Sequence, residues 1–352
     1  MKDSKKDSNL ALYRKYRPES WGEVVGQDHI VKAISGSLKA GKVAHAYLLC
    51  GPRGTGKTTI ARIIASELGT SVNDIYEMDA ASNRGIDDVR DIRENVRTLP
   101  FDSKYKIYIL DEVHMFTKDA WNALLKTIEE PPEHVIFILA TTEIEKIPET
   151  IISRCQSFVF KKPTDAILSE VVTNVAKKEG YKLDEGGGEL IALLADGAFR
   201  DALGTLQKVI SFSKDKVISI EEIEEITGAP NSTLVDDFLS ALASSDIEKG
   251  FEVIEKASSQ NMDMGIYIKM ILHKLRYALM LRYAPNTKKH IESVIGEKDM
   301  KYIVGLISSK PEHISSRTLS ILLEAYQLMR TAVIAPLPLE LALINILGIT
   351  EK

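Results

Sequence analysis

The sequence has little cysteine and no long apolar run, and both absences exclude whole classes of protein. Its 352 residues contain two cysteines, Cys50 and Cys155, without a CxxC partner, so neither a disulfide framework nor a cysteine zinc site is expected. Both thiols are expected to be small buried apolar side chains. No stretch approaches the ~18 uninterrupted apolar residues of a membrane span, and residues 1–10 lack the apolar core of a signal peptide. The expected location is therefore a reducing cytoplasm.

Proline and glycine are also scarce, with 12 and 21 residues, and acidic side chains exceed basic ones only slightly. Hydrophobic residues make up 44% and charged residues 27%, which excludes a disordered or collagen-like chain and predicts an ordinary globular protein. Residues 1–163 hold 24 basic and 23 acidic side chains, and residues 164–352 hold 21 and 27. Because the first half is nearly neutral, the net charge of -5 does not exclude a local nucleic-acid-binding surface.

Short apolar runs alternate with helical patterns from about residue 11 to residue 163. Such runs are typical of strands that helices cover on both faces, as in a parallel sheet. The predicted strands are Ala46–Cys50, Ile75–Met78, Lys106–Leu110, Val135–Ala140 and Ser157–Phe160. This part of the chain is therefore predicted to be an α/β domain, preceded by a polar arm at 1–10.

Helical spacing takes over after Pro163. Residues 164–230 have room for three or four short helices, which predicts a small helical domain. Residues 231–352 predict a larger helical domain, because long segments there carry an apolar stripe at helical spacing. One such stripe consists of Ile268, Ile271, Leu272, Leu275 and Leu279.

A glycine-rich string between the first predicted strand and the next helical pattern carries the strongest chemical signal. GPRGTGKT, from Gly51 to Thr58, has the spacing and the context of a phosphate-binding loop. Its glycines let backbone N–H groups surround phosphate oxygens, Lys57 can reach the β- and γ-phosphates, and Thr58 can ligate Mg²⁺. Nucleoside triphosphate contacts are predicted for Gly51, Arg53, Gly54, Thr55, Gly56, Lys57, Thr58 and Thr59.

Two carboxylates end the third predicted strand. Because the carboxyl ends of parallel strands meet at one edge of a sheet, Asp111 is expected to face the same phosphates as Lys57 and Thr58. Asp111 suits coordination of Mg²⁺, directly or through water, and Glu112 is placed to polarise a water that attacks the γ-phosphorus. The pair favours hydrolysis over transfer to a small molecule.

Two further residues are candidates for the site because of where they stand relative to the predicted strands. Thr142 follows the fourth predicted strand, where its hydroxyl could bind the attacking water or the γ-phosphate. Arg154 stands just before the last strand. Taken alone, a threonine at a strand end is ordinary, and a single arginine is usually solvated or paired with an acid.

The chain resembles the ATPase subunits of bacterial clamp loaders, the gamma/tau subunits of DNA polymerase III within the AAA+ ATPases. The similarity runs from about residue 11 to residue 210 and more loosely to the end. Besides the phosphate loop, it rests on YRKYRP from Tyr13, VGQ from Val25, DAASN from Asp79, DEVH from Asp111, NALLK from Asn122, EEPP from Glu129, ATT from Ala140, SRC from Ser153 and RDAL from Arg200.

The resemblance implies roles for particular positions. Tyr13, Arg17, Pro18 and Val25 would form the adenine pocket of an ATP site that also takes Mg²⁺. Thr142 would be a first sensor of the γ-phosphate and Arg200 a second. Arg154 would be an arginine finger that reaches the ATP site of a neighbouring subunit, so that hydrolysis would depend on assembly.

The resemblance also implies a fold and a set of partners. The fold would be a five-stranded parallel sheet in an AAA+ P-loop domain, then a helical lid domain, then a helical collar domain for oligomerisation. Copies of this chain would join delta-type and delta-prime-type subunits in a five-subunit ring, which would open a sliding clamp and load it onto primer–template DNA. No membrane partner is implied.

Arg84 and Arg90 occupy the region where such proteins contact DNA. From the residues alone they could equally belong to a solvated helix face, because acids at Asp87, Asp88, Asp91 and Glu94 are interleaved with them and can pair at helical spacing. Contacts with DNA would go to phosphates and would therefore depend on salt rather than on base sequence.

The chain departs from the family in two places. A four-cysteine zinc module usually follows the phosphate-loop helix, but here a few residues from Glu67 to Asn73 make that connection, so no zinc is expected. The sequence also ends at Lys352, which predicts a short, gamma-like form. Two alternatives stay open: another AAA+ DNA motor, such as a helicase or branch-migration ring, and a non-catalytic structural subunit of the same loader.

Overall fold

The computed structural model describes residues 10–260, 262–308, 311–329 and 331–348. They fall into two compact units. The first runs up to Ile167 and takes in Gly197–Gly204, and the second consists of Leu168–Asp196 and the chain from Thr205 onward. The domain boundaries predicted near residues 163 and 230 stay a prediction.

A five-stranded parallel sheet forms the first unit, as predicted for an AAA+ domain. Its strands are β1 (Ala46–Cys50), β2 (Ile75–Asp79), β3 (Lys106–Asp111), β4 (Val135–Thr141) and β5 (Gln156–Val159). Their order across the sheet is β2-β3-β4-β1-β5. The predicted strands are confirmed with shifts of one residue at some ends. The three inner strands are buried along nearly their whole length, which is why their apolar runs are almost uninterrupted.

Helices cover both faces of this sheet. The α-helices of the first part of the chain are α1 (Leu12–Lys15), α2 (Asp28–Lys39), α3 (Lys57–Glu67), α4 (Ile86–Asn95), α5 (Lys118–Glu129) and α6 (Glu149–Ile152). Successive residues of β1 point to opposite faces, so Tyr47 and Leu49 pack with α2 and α3 residues such as Ile34 and Ile60. Leu48 packs into the other core, with Leu124 of α5.

The rest of the chain is mainly helical. Its α-helices are α7 (Asp165–Lys178), α8 (Gly187–Leu194), α9 (Phe199–Phe212), α10 (Ile220–Thr227), α11 (Ser232–Ser244), α12 (Ile247–Ser259), α13 (Met264–Tyr283), α14 (Lys288–Ser308), α15 (Ser316–Met329) and α16 (Leu337–Leu347). Two short strands that were not predicted, β6 (Lys182–Leu183) and β7 (Val217–Ile218), pair in parallel. The four helices α7 to α10 fill the segment where three or four were expected.

The core of the second unit is built around α13. The predicted stripe from Ile268 to Leu279 is confirmed, since its five apolar residues are all buried there. Side chains from α11, α12 and α16, including Phe238, Ile254 and Leu343, pack into the same core. Within the described ranges, every helix is too short or too polar to cross a membrane.

The two thiols differ in how far they are exposed. Cys50 at the end of β1 is buried, as predicted, and burial raises the pKa of its thiol to about 11. Cys155, in the turn before the edge strand β5, is only partly buried, but it packs against the same core as Cys50 and burial raises the pKa of its thiol to about 12, so the prediction is confirmed in part for this residue.

Candidate nucleotide site

The glycine-rich loop between β1 and α3 has a backbone that only glycine adopts easily. Gly51, Gly54 and Gly56 have φ values of 146°, 74° and 103°. A Cβ atom on Gly51 would lie 2.6 Å from the carbonyl oxygen of Phe160, and one on Gly54 would lie 2.8 Å from Cβ of Ala198. The loop therefore depends on glycine both for its conformation and for its close packing, as a phosphate cradle does.

Lys57 begins α3 and folds its side chain back over this loop. The residue is 6% exposed, and its Nζ donates to the carbonyl oxygens of Gly51 at 2.8 Å and Pro52 at 3.0 Å. Burial lowers the pKa of Lys57, while the nearby carboxylates of Glu112 and Asp111 oppose that shift. Within the described part of the chain, the Lys57 ammonium thus donates hydrogen bonds only to uncharged carbonyl oxygens.

Thr58 and Asp111 meet at the carboxyl end of the sheet. The Thr58 hydroxyl donates to Oδ2 of Asp111 at 2.7 Å, while Oδ1 of Asp111 accepts from the backbone N–H of Glu112 at 2.9 Å. A hydroxyl and a carboxylate oxygen are the hard ligands that Mg²⁺ takes in nucleotide sites. The two residues therefore fit the metal site predicted for them.

Glu112 lies directly beyond β3 in an unusual conformation. Its φ of 50° and ψ of 41° are left-handed, which costs a non-glycine residue about 1–3 kcal/mol and is kept only where the surroundings enforce it. Its Oε2 accepts a hydrogen bond from the Thr142 hydroxyl at 3.2 Å. The structure thus brings together two site residues that were predicted on separate strands.

Arg200 lies beside the same loop, although it is 143 positions beyond Lys57 in the sequence. The backbone N–H of Phe199 donates to the Gly54 carbonyl at 3.0 Å, which fixes the first turn of α9 against the loop. The Arg200 guanidinium carbon lies 5.0 Å from the ring centroid of Tyr13. A hydrogen bond from Arg14 is the main cause that lowers the pKa of Tyr13, and Arg200 adds to it.

The other predicted adenine-pocket and loop residues differ in exposure. Burial lowers the pKa of half-buried Arg17, and the positive charge of Arg62 lowers it further. Pro18 and Thr59 are also partly buried, whereas Val25 and Arg53 are exposed. Thr55 is buried, and its hydroxyl donates to the Pro52 carbonyl at 2.8 Å. Contacts of these side chains with a nucleotide stay a prediction.

Arg154 follows α6 and has its described partners outside the phosphate loop. One guanidinium nitrogen lies 2.6 Å from Oε1 of Glu129, and another donates to the Thr150 carbonyl at 2.6 Å. The Arg154 side chain is 37% exposed. Arg154 is therefore held at the surface by neighbours in its own chain.

The two arginines predicted to contact DNA are exposed, and each has a local partner. Arg84 donates to the Ala81 carbonyl at 2.8 Å, and Arg90 forms an ion pair with Asp87 at 2.8 Å. The second contact is one of the pairings expected if these residues form a solvated helix face. Among the described residues, no cluster of three His, Cys, Asp or Glu side chains could hold a metal ion. The expected absence of zinc stays a prediction.

Three residues that the sequence reasoning did not assign lie beside Glu112. His114 stands in the short helical turn Val113–Met115, and its ring contacts Glu112, Thr141 and Glu143. His114 ends the DEVH string from Asp111, so the sequence pattern did place it three residues from the site carboxylate. Thr141 and Glu143 flank Thr142, but no sequence pattern linked them to β3.

Comparisons with known proteins identify relatives of this chain. The profile of the family described as "DNA polymerase III, delta subunit" matches residues 69–164. The chain is 36% identical over 313 residues to the DNA polymerase III subunit gamma of Buchnera aphidicola, covering 83% of this chain and 86% of that protein. It is 41% identical to the DNA polymerase III subunit tau of Bacillus subtilis over 82% of this chain. That match covers 54% of the tau subunit, so the chain spans about half the length of this relative.

Solved structures give a likeness in fold. The Thermotoga maritima RuvB Holliday junction branch migration motor is 24% identical and matches with a TM-score of 0.52, covering 64% of this chain and 79% of that one. At this identity the likeness concerns the fold alone. It supports the architecture of the parallel sheet with its covering helices and leaves the reaction to the residues of the site.

Proposed function

The chain belongs to the family of DNA polymerase III gamma/tau subunits, and on that basis we propose that it is an ATP-hydrolysing subunit of a clamp loader. In this role it would act in the cytoplasm and help to open a sliding clamp and place it on primer–template DNA. One observation carries the proposal: Lys57, Thr58, Asp111, Glu112 and Thr142 converge at one edge of the sheet.

The first three of these residues would bind the nucleotide. Lys57 would exchange its two carbonyl partners for β- and γ-phosphate oxygens, which would give the buried ammonium a direct counter-charge. Thr58 and Asp111 would hold Mg²⁺, which neutralises charge on the phosphates when bound. The backbone N–H groups of Gly54 and Gly56 would complete the cradle.

Glu112 would act as the general base. It would take a proton from a water while the water oxygen bonds to the γ-phosphorus and the bond to the β–γ bridging oxygen breaks, which releases ADP and phosphate. Thr142, already in contact with Glu112, would bind the same water or the γ-phosphate. Arg200, beside the loop, would contact the γ-phosphate from the side of α9.

Arg154 would complete the site of a neighbouring subunit. A guanidinium stabilises charge on a transferring phosphoryl group, and one that comes from another subunit makes the rate depend on assembly. The partly exposed position of Arg154 and its contacts with Glu129 and Thr150, outside the phosphate loop of its own chain, support this role. The partners would be further copies of this chain and subunits of the delta and delta-prime type.

Arg84 and Arg90 would meet phosphates of the primer–template duplex. Both are exposed, and neither local partner buries them. Arg90 would first have to leave Asp87, a surface pair worth at most about 1 kcal/mol.

Steady-state ATP hydrolysis tests the proposal. The purified chain should hydrolyse ATP slowly alone and much faster with its clamp, primed DNA and partner loader subunits together. Stimulation by DNA with no dependence on clamp would instead favour a helicase-like or branch-migration motor. No hydrolysis in the full mixture would favour the structural subunit.

Mixed assemblies test the assignment of Glu112 and Arg154. Glu112→Gln and Arg154→Ala should each bind ATP and fail in stimulated hydrolysis. When the two variants are mixed before assembly, activity should return in part, because an intact site of one subunit can meet the intact Arg154 of the other. If Arg154 served the site of its own chain, mixing would restore nothing. Arg154→Lys, which keeps the charge and loses the planar fork, is the matched control and should recover only a small part of the rate.

A further inference from the structure

His114 lies against the residue that we assign as the general base. Its side chain is 7% exposed, and its Nδ1 lies 3.4 Å from Oε2 of Glu112 and 3.2 Å from the Thr141 hydroxyl. On the other side of the ring, Nε2 lies 3.2 Å from Oε1 of Glu143. The imidazole therefore sits between two carboxylates, of which only one belongs to the site described above.

Glu143 fixes the far side of the ring. A carboxylate oxygen can only accept, so Glu143 attracts the ring through a proton on Nε2, and Glu112 attracts it through a proton on Nδ1. Glu143 is itself held, because Lys146 binds its second oxygen at 2.7 Å and its backbone N–H donates to the Thr141 hydroxyl at 3.0 Å. The hydrogen bond from Lys146 is the main cause that lowers the pKa of Glu143, so this carboxylate stays ionised at neutral pH.

The contacts of Glu112 fall on one oxygen. Oε2 accepts from the Thr142 hydroxyl at 3.2 Å and faces Nδ1 of His114 at 3.4 Å. The described contacts therefore leave Oε1 to meet a water. Because the Glu112 side chain is 28% exposed, it could otherwise turn away from the γ-phosphate.

We propose that His114, with a proton on both ring nitrogens, is a positioning residue that orients the Glu112 carboxylate, with Thr141 and Glu143 fixing its ring. Thr142 and His114 hold Oε2 from two sides, which directs Oε1 towards the attacking water. A general base is effective only within hydrogen-bond reach of the proton that it takes, so an error of direction slows the chemical step without weakening ATP binding. This inference rests on the proposed hydrolysis of ATP and assigns a further residue to the same site.

Kinetics of two variants test the role in the assembled loader with clamp and primed DNA. His114→Leu should lower kcat about tenfold or more while the Kd for ATP stays unchanged. His114→Gln keeps a side chain that can donate to Glu112 and should recover a clear part of the rate. Thermal unfolding of both variants checks that they fold. An unchanged kcat in His114→Leu, or a loss that glutamine does not relieve, would overturn the proposal.

Nitrogen NMR of selectively labelled histidine tests the contacts without any need for turnover. Glu112→Gln should shift the Nδ1 resonance of His114, and Glu143→Gln should shift its Nε2 resonance. Glu145→Gln, an exposed position two residues away, is the matched control and should leave both unchanged. If neither resonance moves in the first two variants, the ring does not hold Glu112. If the unmodified protein fails to hydrolyse ATP in the full mixture, the proposed function fails and the role of His114 fails with it. Normal hydrolysis that His114→Leu leaves intact rejects the positioning role alone.

Discussion

Each of the two units buries a lysine, and the partners of the two ammonium groups differ. Lys57 in the first unit is bonded to two neutral carbonyl oxygens. Lys274 in the second unit is 8% exposed and binds the carboxylates of Asp236 and Asp299. Asp111 and Glu112 act on Lys57 only from a distance, so its ammonium has no direct ion pair, which fits a site that takes up an anion. Lys274 already has two direct ion pairs.

The Lys274 cluster connects three helices of the second unit. Asp236 lies on α11, Lys274 on α13 and Asp299 on α14, and the ammonium also lies 5.0 Å from the ring centroid of Tyr302. Burial raises the pKa of Asp236, although the hydrogen bond and the charge of Lys274 oppose the shift. Two acids around one base leave this cluster with a negative charge, so it has no need of an external anion.

A third buried lysine shows that neutral partners alone do not identify a ligand site. Lys106 at the start of β3 is 2% exposed and donates to the Asn95 carbonyl at 2.8 Å and the Thr98 hydroxyl at 2.7 Å. Its Nζ lies 4.8 Å from the ring centroid of Tyr76, which stabilises the cation. Lys106 thus closes the carboxyl end of α4. Lys57 differs because its partners are the glycine loop itself.

Replacement of Lys57 should have the largest effect on ATP hydrolysis and no destabilising effect on the fold. Lys57→Met should lower ATP hydrolysis by a factor of about 10²–10³, since it removes a cation that acts on the transferring phosphoryl group. Without nucleotide, the variant should unfold at the same temperature or a higher one, because the ammonium that is lost makes no direct ion pair and its burial is costly. Lys32→Met, at an exposed position of α2, is the control and should change neither property. Normal turnover in Lys57→Met would remove the basis of the comparison.

Replacement of Lys274 should have the opposite pattern. Lys274→Met leaves Asp236 and Asp299 without their cation and should lower the free energy of unfolding by about 3 kcal/mol, the low end of the range for a broken buried pair, since Asp299 is 35% exposed. Chemical denaturation measures the loss.

Two further variants test the cause of that loss. Lys301→Met breaks an exposed pair with Glu297 on the same helix α14 and should leave the free energy of unfolding almost unchanged. Adding Asp236→Leu and Asp299→Leu to Lys274→Met should restore part of the stability, because no unpaired buried charge then remains. If the triple variant is no more stable than Lys274→Met, lost packing rather than charge explains the effect.

Asp74 is a buried acid, and its partners can be compared with those of the buried lysines. Burial alone would raise the pKa of Asp74, but hydrogen bonds from the N–H groups of Asp102, Phe101 and Ser103 outweigh it and hold that pKa below its usual value. The ionised form therefore stabilises the fold above the unfolded pKa of about 3.9, and that stability is lost as the pH falls through the lower folded pKa.

Asp74→Asn should thus cost about 1–3 kcal/mol at pH 7, since two or three backbone donors lose a charged acceptor. The difference between the two proteins should shrink below about pH 4, where the wild-type carboxyl becomes protonated. Urea denaturation at a series of pH values measures both effects. Asp102→Asn, at an exposed neighbour, is the control. A pH-independent difference would show that the charge of Asp74 plays no part.

Some parts of the site and of the sheet could be predicted from the sequence alone. The phosphate loop was predictable because its conformation depends on glycines within one short segment, and β1, β3 and β4 were predictable because burial on both faces makes their runs apolar. The contact of Thr142 with Glu112 was not predicted, although the rule that parallel strand ends share an edge places both residues at the same edge of the sheet.

Contacts that depend on side-chain direction across elements were not predictable. His114 and Glu143 lie on segments that follow different strands, and only the adjacency of β3 and β4 brings them together. Lys106 and Lys274 look like solvated residues in the sequence, because nothing local marks a partner that lies on another helix or turn. The partial exposure of Cys155 was not predictable for a similar reason, since the exposure of a turn before an edge strand depends on the strand order.

The smallest expected effect concerns a surface cation. Arg90 and Asp87 are 53% and 87% exposed, so Arg90→Gln should change the free energy of unfolding by less than about 0.5 kcal/mol. If Arg90 binds a DNA phosphate, the slope of log K against log salt for primer–template binding should become shallower by about 0.9, the value for one lost contact. Fluorescence anisotropy over a salt series measures it. Asp87→Asn removes the competing partner and should strengthen binding, so unchanged slopes in both variants would assign Arg90 to the solvated face of α4.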